Sequence, residues 1–275
     1  MTELDRAVSA QYAPTDISAR IVARLIGAGK EPEHLTREDL ASFDEFHAGG
    51  RDSTRELARL AATADGSKVL DIGCGIGGPA RTLAAEFGCR VTGIDLTEGY
   101  CRAARMLTAK LGMGDQVNFQ CANALDLPFP AASFDMVWSQ NTLMNIDDKD
   151  RYLREVVRVL RPGGVFALET IIAGALMDIH LPVLWADSPS LNFLVTEAQA
   201  KALLSGAGLK ERVWQDTTQR SIALQRQRQE INERGGPPLL SLDVLVPVDF
   251  LAKVENVLRN NLEGRTRTVQ AIYCV

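Results

Sequence analysis

The chain has 275 residues, a formal net charge of −5, 46% hydrophobic residues and 24% charged residues. That is enough apolar sequence for one large core, or for a domain with a cap. The acidic balance and the lack of a long Lys/Arg run exclude a nucleic-acid backbone as partner, and no apolar run is long enough to span a bilayer. Residues 2–6 lack a signal-peptide core, so the expectation is a cytoplasmic protein that acts on a small molecule. Cys74, Cys89, Cys101, Cys121 and Cys274 are odd in number and form no Cys-x-x-Cys pair, which points to neither a disulfide framework nor a metal site.

Residues 1–66 read as an N-terminal helical lid. Ile17, Ile21, Val22, Leu25 and Ile26 share one apolar helix face, and Leu57, Leu60 and Ala61 share another. Thr36 followed by Asp39 resembles a capping box with Asp in place of Glu. The segment Phe43-Asp44-Glu45-Phe46-His47-Ala48-Gly49-Gly50 reads as an entry loop, with His47 either a substrate contact or a locally capped histidine.

Over residues 67–216 strands and helices alternate at the pace of a doubly wound α/β sheet. The expected strands are 68–72, 90–95, 117–121, 134–139, 164–171 and 209–216; the expected helices are 77–87, 97–111, 148–160 and 196–206. Ligands of such sheets sit beyond the carboxyl ends of the strands. The first strand runs into Asp71-Ile72-Gly73-Cys74-Gly75-Ile76-Gly77-Gly78, a strand, a tight loop and the start of a helix whose free N–H groups face the loop. Gly73-x-Gly75-x-x-Gly78 satisfies a dinucleotide fingerprint, while Asp71-x-Gly73-x-Gly75-x-Gly77 sets a carboxylate beside bare amides. Asp95 ends the second strand about twenty residues later, placed to accept two hydrogen bonds from a ribose, and Thr97 is positioned to cap the next helix.

Leu70-Asp71-Ile72-Gly73-Cys74-Gly75-Ile76-Gly77 closely resembles the first motif of class I S-adenosylmethionine (SAM) methyltransferases. Asn123-Ala124-Leu125-Asp126-Leu127-Pro128-Phe129 is similar to that family's Asp-Ala-x-x-Leu-Pro-Phe, in which a carboxylate takes the adenine amino group and the next amide a ring nitrogen. Asn123 replaces the carboxylate here, and its oxygen still accepts. Leu160-Arg161-Pro162-Gly163-Gly164 matches the family's Leu-x-Pro-Gly-Gly turn. The resemblance spans residues 44–170 in five ordered motifs. Within the family it is strongest to sarcosine/dimethylglycine N-methyltransferases and to the ubiquinone/menaquinone-biosynthesis C-methyltransferases.

The resemblance implies a Rossmann-like, mostly parallel seven-stranded sheet whose last strand is antiparallel. That strand is read at 267–275, within a final segment 263–275 returning to the core. It follows a helical insertion at 217–262, broken at Gly235-Gly236-Pro237-Pro238, that serves as a cap or a homodimer surface; the charge run 225–234 reads as a solvated helix face. The implied cofactor is SAM, held by Asp71, Gly73, Gly75, Gly77, Asp95, Leu96, Asn123, Ala124 and Gln140. The candidates at the reaction centre are Gln140, Asn145, His47 and, from the irregular insertion 173–195, His180; Trp185 there offers a ring face to a cation. Relatives often carry Gln-Asp or Gln-His where Gln140-Asn141 stands, so a family-derived base is missing from that place. An amine, which needs only to be bound neutral, is therefore the favoured acceptor over an oxygen or carbon acid. A nicotinamide-dependent oxidoreductase is the alternative, lacking a Tyr-x-x-x-Lys or similar hydride-transfer set, and a non-catalytic SAM-binding protein is the third reading.

Overall fold

A computed structural model describes residues 3–12, 16–47, 49–176, 178–235, 240–246 and 248–275. Four helices come first, α1 (Glu3–Tyr12), α2 (Ile17–Gly27), α3 (Arg37–Leu40) and α4 (Gly50–Leu60). Then β1 (Lys68–Ile72), α5 (Gly78–Phe87), β2 (Arg90–Asp95), α6 (Glu98–Lys110), β3 (Val117–Cys121) and β4 (Phe134–Gln140) build one half of the sheet. The other half follows as α7 (Lys149–Val159), β5 (Leu160–Ala173), α8 (Glu197–Gly206), β6 (Lys210–Asp216), α9 (Thr218–Gly235), α10 (Phe250–Leu262) and β7 (Thr266–Cys274).

The strands form one seven-stranded sheet in the order β3-β2-β1-β4-β5-β7-β6. Neighbours from β3 to β5 are parallel, and β7 runs antiparallel to both β5 and β6. The central strands are apolar on both faces because both are covered. On one face Leu70, Val137, Phe166 and Leu168 pack with Tyr152 and Val156 of α7 and Leu204 of α8. On the other, Val69, Val91, Trp138 and Ala167 pack with Leu57 of α4 and Ala80 and Leu83 of α5.

A third cluster joins Ile17, Ile21 and Leu25 of α2 to Leu40, Phe43, the Tyr100 and Leu107 positions of α6, and Val244 and Leu245. It fixes residues 43–47 as a strap across the carboxyl edge of the sheet. The strap is pinned by Asp44, whose carboxylate pairs with the fully buried Arg81 of α5; Arg81 also donates to Ile76 O at 2.7 Å and Thr108 Oγ1 at 2.8 Å.

Several local expectations change. β5 starts at Leu160, because Pro162-Gly163-Gly164 bulges between two paired stretches, Phe134 with Leu160 and Met136 with Val165. Thr97 occupies the N-cap of α6, yet its side chain makes no cap bond; its N–H instead donates to Asp95 Oδ1 at 2.8 Å. The capping box at Thr36 and Asp39 is present on a single-turn α3. Of the expected break after α9, residues 236–238 lie outside the described residues. Among the described residues no helix is long and apolar enough to cross a membrane.

Candidate active site

A cavity of about 1190 Å³ lies beyond the carboxyl ends of β1, β2, β4 and β5, under the strap and under side chains from α9, α10 and residues 184–185. It has two chemically distinct ends.

The first end is made by the loops after β1, β2 and β3. Gly73 and Cys74 both donate their N–H to Ile94 O, at 2.8 and 2.9 Å, which folds the glycine loop back on β2. Gly75 N donates to Asp95 Oδ2 at 3.0 Å, so each Asp95 oxygen holds one loop amide and keeps a lone pair for a hydroxyl. Gly75 has φ +53°, and a Cβ there meets nothing within 4 Å, so the loop backbone faces open cavity at that residue. Gly77, at φ +87°, behaves differently: a Cβ would lie 2.4 Å from Phe119 Cζ, and the residue does not line the cavity. Gly78, the third glycine of the dinucleotide fingerprint, is used for packing as well, since a Cβ would stand 2.0 Å from Asp44 O.

Asp71 is 2% exposed and lines this end, and its Oδ2 has no hydrogen-bond partner. Burial, then the charges of Asp95 and Glu45, push its carboxyl up to about 8. A buried acid with an orphaned oxygen matches a ligand that brings a cationic group, as the ammonium of SAM does. Asn123 Oδ1, the atom expected to take an adenine amino group, accepts from Leu125 N at 2.9 Å and retains one lone pair; Asn123 Nδ2 lies 3.4 Å from Asp5 Oδ2 of α1. Leu96 and Ala124 line the same end. These residues fit SAM: a hydroxyl-accepting Asp95, an open backbone at Gly75 and an unmatched carboxyl at Asp71.

The second end is assembled from distant side chains. Gln140, at the end of β4, accepts at Oε1 from Trp138 Nε1 (2.9 Å) and Thr54 Oγ1 (3.0 Å), which leaves its buried Nε2 unpartnered. His47 is 6% exposed, with Nε2 3.2 Å from Glu45 Oε2, Nδ1 3.7 Å from Glu169 Oε1, and Nδ1 unbonded. Burial works against a charged imidazole, but the Glu45 hydrogen bond and the Glu169 charge outweigh it and raise the His47 pKa above its ordinary value. Glu169, inside β5 in register with Gln140, is 2% exposed and accepts from Ser53 Oγ and, at 2.6 Å, from Gln270 Nε2. Sequence reasoning missed it. The available signal was a lone carboxylate in the run Phe166-Ala167-Leu168-Glu169-Thr170-Ile171 of a strand buried on both faces.

Asn145 lines the cavity, and its Nδ2 is 3.4 Å from Asn141 O; Asn141 sits at φ +53° with Oδ1 buried and unpartnered. His180 does not line the cavity. Its Nε2 lies 2.9 Å from Glu263 Oε2 and its backbone is bonded to Asn260, so it belongs to the foot of α10 and is corrected from the list of reaction-centre candidates. The insertion contributes Leu184 and Trp185 instead, with Trp185 2% exposed and its Nε1 donating to Asn192 Oδ1 at 3.1 Å. Phe46, Met144, Ile171, Leu245, Phe250 and Val257 complete an apolar chamber. Glu98, Cys101 and Cys121 bring potential ligand atoms within 4.8 Å of one another, outside the lining of this cavity.

Residues 70–168 match the model of a methyltransferase domain. The chain is 31% identical over 209 residues to a sarcosine/dimethylglycine N-methyltransferase of Halorhodospira halochloris, covering 72% of this chain and 70% of the relative. It is 36% identical over 146 residues to the methyltransferase GfsG of Streptomyces halstedii, covering 53% and 52%. The chain thus spans about half the length of the first curated relatives it matches. Among solved structures, geranyl diphosphate C-methyltransferase from Streptomyces coelicolor superposes with a TM-score of 0.72 at 17% identity, covering 99% of this chain and 98% of that one. That likeness is one of fold.

Proposed function

The chain belongs to the class I SAM-dependent methyltransferase family, and from that premise we propose that it methylates a hydroxyl of a small acceptor with an apolar body, using His47 as the base. When bound, SAM supplies an activated methyl and a neutral sulfide leaving group. The protein's part is to align the acceptor with the methyl carbon, exclude water and remove a proton. The observation that carries the reading is His47, a lining residue of the cavity whose buried Nδ1 has no hydrogen-bond partner. Glu45 on Nε2 orients the ring and supports the imidazolium formed when Nδ1 takes the hydroxyl proton; Glu169 adds a second negative charge beside it. Gln140 Nε2 offers an unused donor at the same junction.

The sequence favours an amine because it shows no base beside Gln140. A base brought there by the strap supports an oxygen acceptor instead, and the apolar lining supports a bulky carbon skeleton over a small polar one. The test is transfer of labelled methyl from SAM to matched naphthols, quinols and naphthylamines. Label on oxygen that disappears in His47→Gln supports the reading; transfer to nitrogen that is insensitive to His47→Gln overturns it.

A further inference from the structure

Arg228 sits on the cavity-facing side of α9 with Ser221 and Gln225, at the i, i+4 and i+7 spacing of one helix stripe. It reaches the acceptor end: its Nη2 lies 3.5 Å from where a Cβ on Gly50 would stand, and its charge acts on His47. Among the described residues it makes no hydrogen bond and no ion pair, whereas Arg24, Arg37, Arg51, Arg81 and Arg220 are each matched to a carboxylate. The residue is exposed, and partial burial of its guanidinium lowers its pKa with no carboxylate near enough to act the other way. Gln225 leans towards Ser221, to whose Oγ its Nε2 donates at 3.0 Å, leaving Gln225 Oε1 unpartnered beside the same wall.

A guanidinium keeps its charge in any folded protein, and Arg228 brings five N–H donors to the cavity wall with no protein acceptor among the described residues, so they are open to a ligand. Its planar fork matches two oxygens of one oxyanion. We propose that Arg228 is the acidic-group subsite of the acceptor: the substrate carries a carboxylate or phosphate that Arg228 grips while its apolar body fills the chamber under Trp185 and Phe250. This rests on the reading of the cavity as an acceptor site. It adds that the acceptor is an amphiphilic anion, and that its acidic group lies on the α9 side of His47. In the free protein water covers the guanidinium; the acceptor's oxyanion replaces that water without moving an existing protein ion pair.

The test is binding, independent of turnover. Calorimetry on the full chain loaded with S-adenosylhomocysteine compares 2-naphthoate and 2-naphthyl phosphate with the neutral methyl 2-naphthoate. One or both anions are expected to bind roughly 10- to 100-fold more tightly than the ester, as a charged hydrogen-bonded pair allows. Arg228→Met should erase that preference, Arg228→Lys should restore part of it, and S-adenosylhomocysteine affinity and Tm should hold in both variants. Equal binding of ester and anions by the unmodified protein, or a preference that survives Arg228→Met, overturns the subsite. A fall in S-adenosylhomocysteine affinity in Arg228→Met also overturns it, because the cofactor's own carboxylate would then be the anion. If the anions bind through Arg228 while no hydroxyl is methylated, the subsite stands and the proposed reaction fails.

Discussion

The two ends of the cavity are made of different material. At the glycine-loop end, the proposed nucleoside end, the groups lining the cavity are backbone amides and single side chains at strand tips or on the loops after them: Gly75 after β1, Asp95 at the tip of β2, Asn123 after β3. At the acceptor end nothing is local. His47 comes from the strap, Gln140 from β4, Glu169 from β5, Gln270 from β7 and Arg228 from α9, and the Ser53–Glu169 hydrogen bond alone joins residues 116 apart in sequence. The first end depends on strand order and can be kept while the second is rebuilt, since its partners are separable side chains on added helices. A fold shared with relatives that act on different acceptors is the expected outcome of that division.

Substitutions can break the comparison from either side. The largest effect is expected for Asp95→Ala, which removes the hydroxyl acceptor and releases the amides of Gly75 and Thr97 together. S-adenosylhomocysteine affinity should fall about 100-fold by calorimetry, whereas the same assay on Glu169→Gln should change little. Next, His47→Gln should lower kcat by roughly 100-fold or more with cofactor affinity retained, the loss typical of a general base.

His47 gives that effect a pH signature. Its folded pKa is raised, so the active neutral imidazole accumulates only as pH climbs through a midpoint above the ordinary 6.5, and kcat/KM should rise with pH there. Removing the Glu169 charge withdraws part of the raising effect, so the acidic limb of Glu169→Gln should move to lower pH. If it moves to higher pH, Glu169 is not acting on His47 as a carboxylate.

The nucleoside end has its own titration. Asp71, pushed up to about 8, is protonated in the free protein at neutral pH, while the cationic end of SAM selects the carboxylate. SAM affinity should therefore rise with pH on the approach to about 8, with release of up to one proton, as long as the ligand's ammonium stays charged. Asp71→Asn should flatten the dependence. The smallest effect is expected for His180→Ala: turnover within about twofold, and at most a small drop in Tm from loss of its partly exposed pair with Glu263.

How far the sequence could be read follows the same boundary. Strand positions and the glycine loop were legible because apolar runs, glycine spacing and an acidic strand tip are consecutive in the chain, and the antiparallel β7 was expected from the family resemblance. Glu169 was hidden because a strand buried on both faces reads as core, and one carboxylate in it looks like an interruption. Arg228 was hidden in a Gln/Arg/Glu-rich helix that reads as solvated; only the path of α9 shows that one stripe of it turns inward. His180 was misplaced because the route of residues 173–195 is decided by contacts with Asn260 and Glu263 on α10, about eighty residues further along.

The Asp44–Arg81 pair has a consequence for traffic. Parting a carboxylate and a guanidinium that are 4% and 0% exposed strands both away from water, at a cost of about 3–5 kcal/mol. The segment that carries His47 is thereby riveted to the helix that follows the glycine loop, and it is a poor choice of door. Exchange of acceptor and methylated product should instead use the rim at the start of α10, where Leu251, 67% exposed and lining the cavity, marks the doorstep.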